Sequence, residues 1–558
     1  MVHCKMKLRI SAFAAVLLCC MSCVSTNNRL GGSLVPLGQT YDIFVNDSLY
    51  LPEVYMEMAD SLSGFSQTRM TIGSVRDKDY GLTTRGCALT LVPMISGEDT
   101  LLFGKNPKFQ SFHFAASYDS CSVNRLDQLN ILQNIYVHPL TERLDPNKNF
   151  DTNSEVKYGS SLLTQGVPIF NGQDSLSFNF SKEFGEQFFT MTKEDVRSIK
   201  KYTEKFPGIY LETEEPNGEG GRINIFDLQL SYNSSYYSIE GNYAKLNFEA
   251  EFDGERKDSC MYFYYSPTKF YDVDSLLTYG TVGEYPQYCL NLTGHQTRSK
   301  AGKAKDKITI EGGGGLKPVI SALLLKQLAE ETISKNGGNP KEAIINKATL
   351  VFPFEFPEDY TEVDNFWPDI MSPTTRVINN GVVSYMGLTD SSSSSENQGD
   401  INRSLFRYAP DITYHLQELL NIDLTKTSDT KTKKLLNGEY DIWLLIMANE
   451  IITTTSSASS EMSDYYNYLA YQSYYNEMYG GYGGYGGYGY GGYGGYGDYY
   501  SNYYSYMMMA QYANQSSTYS SVSVMLDKDR FYKATINGPE FPHKGRTPRL
   551  ELTYSLPK

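Results

Sequence analysis

Apolar and polar residues alternate in short runs along most of the chain, and glycine, asparagine, aspartate and serine separate the runs. A period of two places the apolar side chains on one face of a β-strand. The alternation is clearest over 223–232, 244–252 and 549–554. Short strands bounded by turn residues are typical of antiparallel sheets, so the pattern predicts a mostly β, antiparallel and sandwich-like fold. We expect strands at 41–45, 69–74, 88–94, 111–115, 131–138, 176–180, 208–212, 223–232, 244–252, 261–265, 348–354, 440–453, 522–526, 530–537 and 549–554.

Only a few segments carry the pattern of a helix. Good helix formers fill 193–203, and a short helix is expected over 411–421. The strongest helix prediction covers 317–335, which follows the glycine run 312–315. Its apolar face would carry Ile320, Leu323, Leu324 and Leu328.

The length of the chain indicates more than one domain. Its 558 residues exceed what a single hydrophobic core usually serves, so we expect at least two β domains. The lysine-rich stretch 298–307 has the composition of an exposed crossing between them. The expected division is therefore an N-terminal β region over 41–300 and a C-terminal β region over 301–558, which holds the helix 317–335.

A low-complexity insertion, 456–520, interrupts the second region. Tyrosine, glycine, serine, asparagine and methionine dominate it, and its composition predicts a disordered loop. Strands are predicted on both sides, so the insertion would sit at the tip of an antiparallel hairpin, where added length costs little. A solvated loop, self-association and carbohydrate contact all remain open for its repeated tyrosines. These candidate contact residues are Tyr479, Tyr482, Tyr485, Tyr488, Tyr490, Tyr493 and Tyr496.

The N-terminus has the pattern of a bacterial lipoprotein signal. Lys5, Lys7 and Arg9 precede a short apolar run over 10–18, and Ser22 stands directly before Cys23. The run is too short to span a bilayer. We therefore expect a signal peptide over 1–22, lipid attachment at Cys23 and a polar tether over 23–40, with ordinary secretion as the alternative.

Charge and motifs exclude several classes of function. A net charge of -15 opposes binding to nucleic acid, which needs clustered lysine and arginine. The glycine run lacks the Lys-Ser/Thr pair of a phosphate-binding loop, and 145–151 lacks the glycine and the closing glutamate of a calcium loop. We find no nucleophile elbow or zinc motif. We therefore predict no catalytic residue, no metal and no cofactor, and nothing in the residues names a reaction.

Four cysteines remain beyond Cys23, namely Cys87, Cys121, Cys260 and Cys289. In an oxidising compartment they permit three pairings. Disulfides between sequence neighbours, Cys87 with Cys121 and Cys260 with Cys289, would close loops of roughly 30 residues and each add on the order of 3 to 4 kcal/mol. Four separately buried thiols are the equal alternative.

The order of short motifs along the mature chain resembles a family of Bacteroidota envelope lipoproteins catalogued as domain of unknown function 4270. The segments that carry the resemblance are Leu34–Pro36, Ile72–Gly73, Asp79–Gly81, Ile135–Glu142, Phe206–Leu211, Gly312–Leu316, Ile345–Leu350, Ile412–Gln417 and Leu550–Tyr554. The four internal cysteines and the tyrosine-glycine insertion depart from the family pattern. The resemblance implies a mostly β lipoprotein of the outer membrane, and it brings no activity or site residues.

Together these observations predict a non-catalytic, lipid-anchored binding or assembly module of the cell outer membrane. The membrane would be its partner through the anchor, and an envelope protein or a glycan would be its ligand. A structural or adhesive subunit of a surface fibre is one alternative, and a glycan-binding or glycan-processing protein is another. The sequence leaves open which membrane face the protein occupies and its oligomeric state.

Overall fold

The computed structural model describes residues 40–59, 62–66, 69–95, 102–145, 150–173, 175–196, 199–228, 230–233, 238–265, 271–272, 289–356, 360–379, 382–390, 398–454 and 519–557. The predicted fold class is confirmed, because the described chain is mostly β with a few short helices. Among the described strand pairs one, 91–95 with 271–272, is parallel, and the others are antiparallel. None of the described helices is long and apolar enough to cross a membrane.

The described strands of the first 300 residues are β1 Tyr41–Tyr50, β2 Tyr55–Met58, β3 Phe65–Ser66, β4 Arg69–Asp77, β5 Gly81–Leu89, β6 Leu91–Ile95, β7 Lys105–Val123, β8 Gln133–Pro139, β9 Ile169–Phe170, β10 Ser175–Asn179, β11 Ile209–Thr213, β12 Gly220–Asp227, β13 Leu230–Asn233, β14 Ser238–Gly241, β15 Ala244–Phe252, β16 Glu255–Tyr265, β17 Tyr271–Asp272 and β18 Cys289–His295. Those of the remaining chain are β19 Gly302–Lys303, β20 Lys307–Glu311, β21 Leu316–Ile320, β22 Ile344–Pro353, β23 Ile370–Asn379, β24 Val382–Gly387, β25 Ile401–Asn402, β26 Arg407–Tyr408, β27 Ile442–Thr454, β28 Tyr519–Leu526, β29 Lys533–Asn537 and β30 Arg549–Pro557. The described helices are α1 Lys182–Gln187, α2 Lys193–Val196, α3 Ile199–Lys205, α4 Ala322–Lys335, α5 Thr361–Phe366, α6 Thr413–Asn421 and α7 Thr430–Leu436.

Fourteen of the described strands, β3 to β12 and β15 to β18, form one large sheet. The alternating sequence of β15 buries Ala244, Leu246, Phe248 and Ala250 on one face. These side chains join a core rich in phenylalanine, in which Phe112 contacts the rings of Phe180, Phe184, Phe188 and Phe263. Aromatic pairs of this kind stabilise a core beyond the area that they bury.

Apart from the two-stranded sheet of β13 and β14, the smaller described sheets are built from strands beyond residue 300 and from two strands at the start of the chain. β1 pairs with β30, and β2 pairs with β21, so residues 41–58 hydrogen bond with strands beyond residue 300. Leu51, Val54 and Met56 pack in the same core as α4 and β22. The expected division at residue 300 therefore does not hold for these two strands. Sequence position hides the pairing because about 500 residues separate β1 from β30.

Hydrogen bonds join the large sheet to the strand β29 and the segment before it. The hydroxyl of Tyr80 donates to the carbonyl oxygen of Ala534. The backbone N–H of Phe531 donates to Ser122 Oγ at 2.7 Å. Lys533 Nζ lies 3.2 Å from the Asp77 carboxylate, and both side chains are largely buried. The sheets of the first and second regions therefore share a polar interface.

The helix predicted over 317–335 begins five residues later than expected. Residues 316–320 form β21, which pairs with β2 and β27, and Pro318 disfavours helix in the residue before it. Ser321 is the N-cap, because its hydroxyl accepts from the N–H of Leu324. The predicted apolar face is confirmed only in part, because Ile320 is buried in β21 and Leu323 and Leu328 are partly buried against the same core. The buried residues of α4 are Ala322, Leu325, Lys326, Ala329, Thr332 and Ile333.

The hairpin predicted around the low-complexity insertion is confirmed. β27 and β28 pair antiparallel from Met447 opposite Leu526 to Thr454 opposite Tyr519. Residues 455–518 lie outside the described part of the chain, and so do all seven candidate contact tyrosines. The signal peptide, Cys23 and nearly all of the tether also lie outside it.

Candidate functional site

The antiparallel pair of β8 and β11 brings aromatic and acidic side chains together. Tyr136 lies opposite Glu212, and His138 lies opposite Tyr210. Because side chains alternate between the two faces of a strand, these four residues share one face of the sheet. Ile135, Val137, Ile209 and Leu211 point to the other face, where they are fully buried in the core.

Tyr158 completes this surface. It forms an isolated bridge with Leu140, just beyond β8, and the N–H of Thr141 donates to the carbonyl of its neighbour Lys157 at 2.9 Å. This backbone contact places the Tyr158 ring over the Tyr210 ring, with centroids 4.4 Å apart and planes at 26°. The His138 ring lies 5.3 Å from that of Tyr158. The Tyr158 patch thus comprises Tyr136, His138, Tyr158, Tyr210 and Glu212.

Solvent reaches the patch chiefly at Tyr158, which is 41% exposed, whereas Tyr210 and His138 are buried. The Glu212 carboxylate is half-buried, lies 3.5 Å from His138 Nε2 and accepts from the Tyr158 hydroxyl at 3.4 Å. Burial raises the pKa of Glu212, although His138 and Tyr158 act in the opposite direction. Burial also raises the pKa of Tyr158, with a further contribution from Glu212. The patch therefore combines an exposed aromatic ring with a partly desolvated hydrogen-bond acceptor, and ligand-binding surfaces commonly combine these two features.

The sequence carries a signal for part of this patch. Two of the segments that carry the family resemblance, Ile135–Glu142 and Phe206–Leu211, contain most of β8 and the start of β11. Reading every second residue of both strands shows the shared polar and aromatic face. Taken alone, His138 indicates only a ring at the end of a strand, and Glu212 indicates only an acidic loop. Tyr158 carries no such signal, since only the fold brings it to this surface.

A second group of ionisable side chains is buried around the glycine run, between β20 and β21. Lys317 is fully buried, and its Nζ donates to the carbonyl oxygens of Glu311, Gly313 and Gly315. Burial lowers the pKa of Lys317 to about 7, although Glu311 opposes the shift. The glycine run thus forms a tight turn that is closed around an ammonium group and does not cradle phosphate.

Glu311 and His295 face each other within this buried group. Glu311 Oε2 accepts from the N–H of Leu316 at 3.1 Å and from the Thr297 hydroxyl. Burial raises the pKa of Glu311, but His295 and these donors outweigh it, so the net shift is downward. Burial lowers the pKa of His295. Its Nδ1 lies 3.7 Å from Glu311 Oε1, and this carboxylate opposes the downward shift of the His295 pKa.

Arg85 connects this group to the chain before β29. Its Nη1 donates to Thr84 O at 3.2 Å, and its Nε lies 3.4 Å from Asp529 O. Burial lowers the pKa of Arg85 to about 10, and burial raises that of the Asp529 carboxylate. Structural networks shift pKa values as active sites do. Because its ionisable side chains are almost completely buried, we assign this group to the junction between the sheets rather than to a binding site.

The four internal cysteines are free thiols in the structure. The register places Cys121 opposite Asn224, Asn224 opposite Ile72, and β4 beside β5, so three strand spacings, about 14 Å, separate Cys121 from the strand of Cys87. The two Cα atoms of a disulfide usually lie about 4.4 to 6.8 Å apart. The pairing of Cys87 with Cys121 is therefore wrong for this fold.

The pairing of Cys260 with Cys289 fails for a similar reason. Cys260 aligns through Asn247 with Ser111 on β7. The Cys289 thiol contacts Arg69, which aligns through Asp227 with Ser117 on the same strand. Six residues of strand, about 20 Å, lie between these two points of β7.

The segment tested for calcium is described only in part, since 146–149 lie outside the described residues. The Asp151 carboxylate accepts from the N–H of Asn153 at 3.1 Å and from Ser154 Oγ at 2.9 Å, as in an Asx turn. Within the described ranges, no three histidine, cysteine, aspartate or glutamate side chains are grouped to hold a metal.

Comparison with known proteins returned no match among protein families, curated proteins or solved structures.

Proposed function

We propose that this chain is an exported envelope lipoprotein that binds a ligand through the Tyr158 patch and catalyses no reaction on it. The signal pattern that ends at Cys23 supports the export and the anchor, and the motif order supports membership of the envelope lipoprotein family and the outer membrane. The observation that carries the binding role is the half-exposed Tyr158 ring, held by Tyr210 beside the Glu212 carboxylate.

A neutral saccharide fits this surface best. One face of a pyranose ring is a plane of C–H bonds that packs on an aromatic ring, and its hydroxyl edge donates to a carboxylate. Tyr158 supplies the ring and Glu212 the acceptor. Lys157, the chain neighbour of Tyr158, is paired with Glu142 at 2.7 Å. The ammonium group of Lys157 is therefore not free to bind an acidic ligand.

A panel of neutral gluco-, xylo- and manno-oligosaccharides, each added to the purified protein during thermal unfolding, tests this role. We expect at least one of them to raise the Tm, because a ligand that binds only the folded state stabilises it. Tyr158→Ala should abolish the rise. Tyr414→Ala is the matched control, since Tyr414 is 53% exposed on α6, outside the patch. If no oligosaccharide shifts the Tm, or if Tyr158→Ala responds like the wild type, the binding role is wrong.

Assembly into larger structures is a second candidate function, and the strand β1 favours it. Among the described strands β1 is the edge of its sheet, where it pairs with β30. Ile43 and Val45 on this strand are 69% and 73% exposed, and Ile344 is 46% exposed in the same cross-strand row as Ile43. Exposed apolar edge strands are templates for pairing with another chain.

Light scattering after size exclusion distinguishes this candidate. Assembly through β1 predicts concentration-dependent oligomers that Ile43→Lys disperses and that Leu436→Lys, at a comparably exposed site on α7, leaves intact. A monomer at every concentration would remove the assembly function.

A further inference from the structure

Two cysteines that are distant in sequence lie on adjacent strands. Cys87 of β5 is directly opposite Asn291 of β18, and Cys289 precedes Asn291 by two residues. All three side chains therefore point to the same face. Cys87 and Cys289 are completely buried and belong to the same core, so each thiol faces the other without intervening solvent.

Burial raises the pKa of the Cys87 thiol, and the neighbouring Cys289 thiol raises it further. The Cys289 thiol also donates to the carbonyl oxygen of Arg69 at 2.9 Å. The same carbonyl accepts from Asn291 Nδ2 at 3.0 Å. If the Cys289 thiol lost its hydrogen, Arg69 O would keep this second donor. Oxidation at Cys289 would therefore leave no buried carbonyl without a partner.

We propose that Cys87 and Cys289 form a disulfide in the exported protein. Each thiol gives up one proton and one electron, an S–S bond forms between the two sulfurs, and the disulfide of a thiol oxidant takes both electrons and becomes a dithiol. Diagonal neighbours in an antiparallel pair have Cα atoms about 7 to 8 Å apart, roughly 1 Å beyond the usual range of a disulfide, so the backbone has to move by about that distance. Cys289 is the first residue of β18, so only the end of that strand has to move toward β5.

The natural oxidant of this disulfide rests on the export that the proposed function includes, whereas the geometry of the two cysteines does not. Two preparations test the oxidant and the geometry separately. One is the full-length protein isolated from its own envelope. The other is the same protein, reduced, unfolded and refolded in a buffer of reduced and oxidised glutathione.

Both preparations are denatured, alkylated without reductant and digested with trypsin. We expect peptide 86–105 to be linked to peptide 270–298, and Cys121 and Cys260 to be alkylated in peptides 109–125 and 258–269. Four alkylated thiols after refolding, or any other linked pair, would overturn the proposal. A link in the refolded protein that the envelope protein lacks would instead overturn the oxidising compartment, and with it the export.

Variants complete the test. Cys87→Ser should remove the linked peptide, and Cys121→Ser should retain it. Reductant should lower the urea midpoint of the wild type and of Cys121→Ser, and leave that of Cys87→Ser unchanged, because the crosslink restricts the unfolded chain only where it exists. Equal sensitivity of all three proteins to reductant would contradict the disulfide.

Discussion

Thr454 lies directly opposite Tyr519 in the ladder of β27 and β28, although residues 455–518 separate them in sequence. The two ends of this long segment therefore meet as the two ends of a hairpin turn do. The ladder continues from this point to Met447 opposite Leu526. The described pairs of this hairpin therefore run from the ends of the insertion toward Met447 and Leu526.

The first prediction follows from this register. Replacement of 455–518 by Asn-Gly, which favours a two-residue hairpin turn, should leave the free energy of unfolding within about 1 kcal/mol of the wild type. Urea unfolding measures the difference. A loss of more than about 2 kcal/mol would show that the insertion packs on the folded protein.

The second prediction concerns alanine at Gly313. This residue has a positive φ of 56°, and a Cβ added there would lie 2.7 Å from Arg85 Nη2. Gly337 has a φ of 79° and open space around its Cβ position. Alanine in this conformation costs about 1 to 2 kcal/mol by itself, so Gly337→Ala should lose about that amount. Gly313→Ala should lose about 2 to 4 kcal/mol, since Arg85 must also move. Equal losses, measured by urea unfolding, would mean that the glycine run does not support the junction.

His415 should make folding sensitive to acid. It is buried in α6, its Nε2–H donates to Tyr440 O at 3.0 Å, and burial lowers its pKa from 6.5 to about 4. Below pH 6.5 the unfolded chain binds a proton that the folded chain refuses, so stability present above pH 6.5 is lost as the pH falls toward 4. The loss approaches about 3 kcal/mol.

Urea midpoints at pH 7 and pH 4 measure this effect. His415→Gln should lose about 3 kcal/mol less than the wild type over that range. His113→Gln, at an exposed position on β7, should behave as the wild type does. If His415→Gln lost as much stability as the wild type between pH 7 and pH 4, the acid sensitivity would come from other groups.

Glu212 should respond to pH in the opposite sense. Its folded pKa is raised, so the folded state binds more protons than the unfolded state above pH 4.5, and stability falls as the pH rises through that window. Glu212→Gln should therefore raise the Tm at pH 7 and have little effect at pH 4. Glu219→Gln, at an exposed position beyond β11, is the control. A Tm gain at pH 4 that equals the gain at pH 7 would exclude the charge as its cause.

Local patterns predicted the β class and the hairpin because each depends on residues close in sequence or on a period of two. The alternation of β15 and the strands around the insertion are examples. Pairing over long separations could not be predicted this way. Three relationships depend on the closed fold: the pairing of β1 with β30, the diagonal placement of Cys87 and Cys289 on adjacent strands, and the position of Tyr158 over Tyr210. The late start of α4 is intermediate, because Pro318 and Ser321 were visible as helix-start signals.

Export and anchoring are the central claim of this account, since the saccharide ligand, the envelope partner and the oxidant of Cys87 and Cys289 all depend on them. Fractionation of cells that produce the wild type or Cys23→Ala, with the mass of the mature N-terminus, tests the claim most directly. Two or more acyl chains hold a protein stably on a membrane. We predict that the wild type begins at Cys23, carries lipid mass and sediments with membranes, whereas Cys23→Ala is soluble or unprocessed. A wild-type protein that begins elsewhere and carries no lipid would contradict the account.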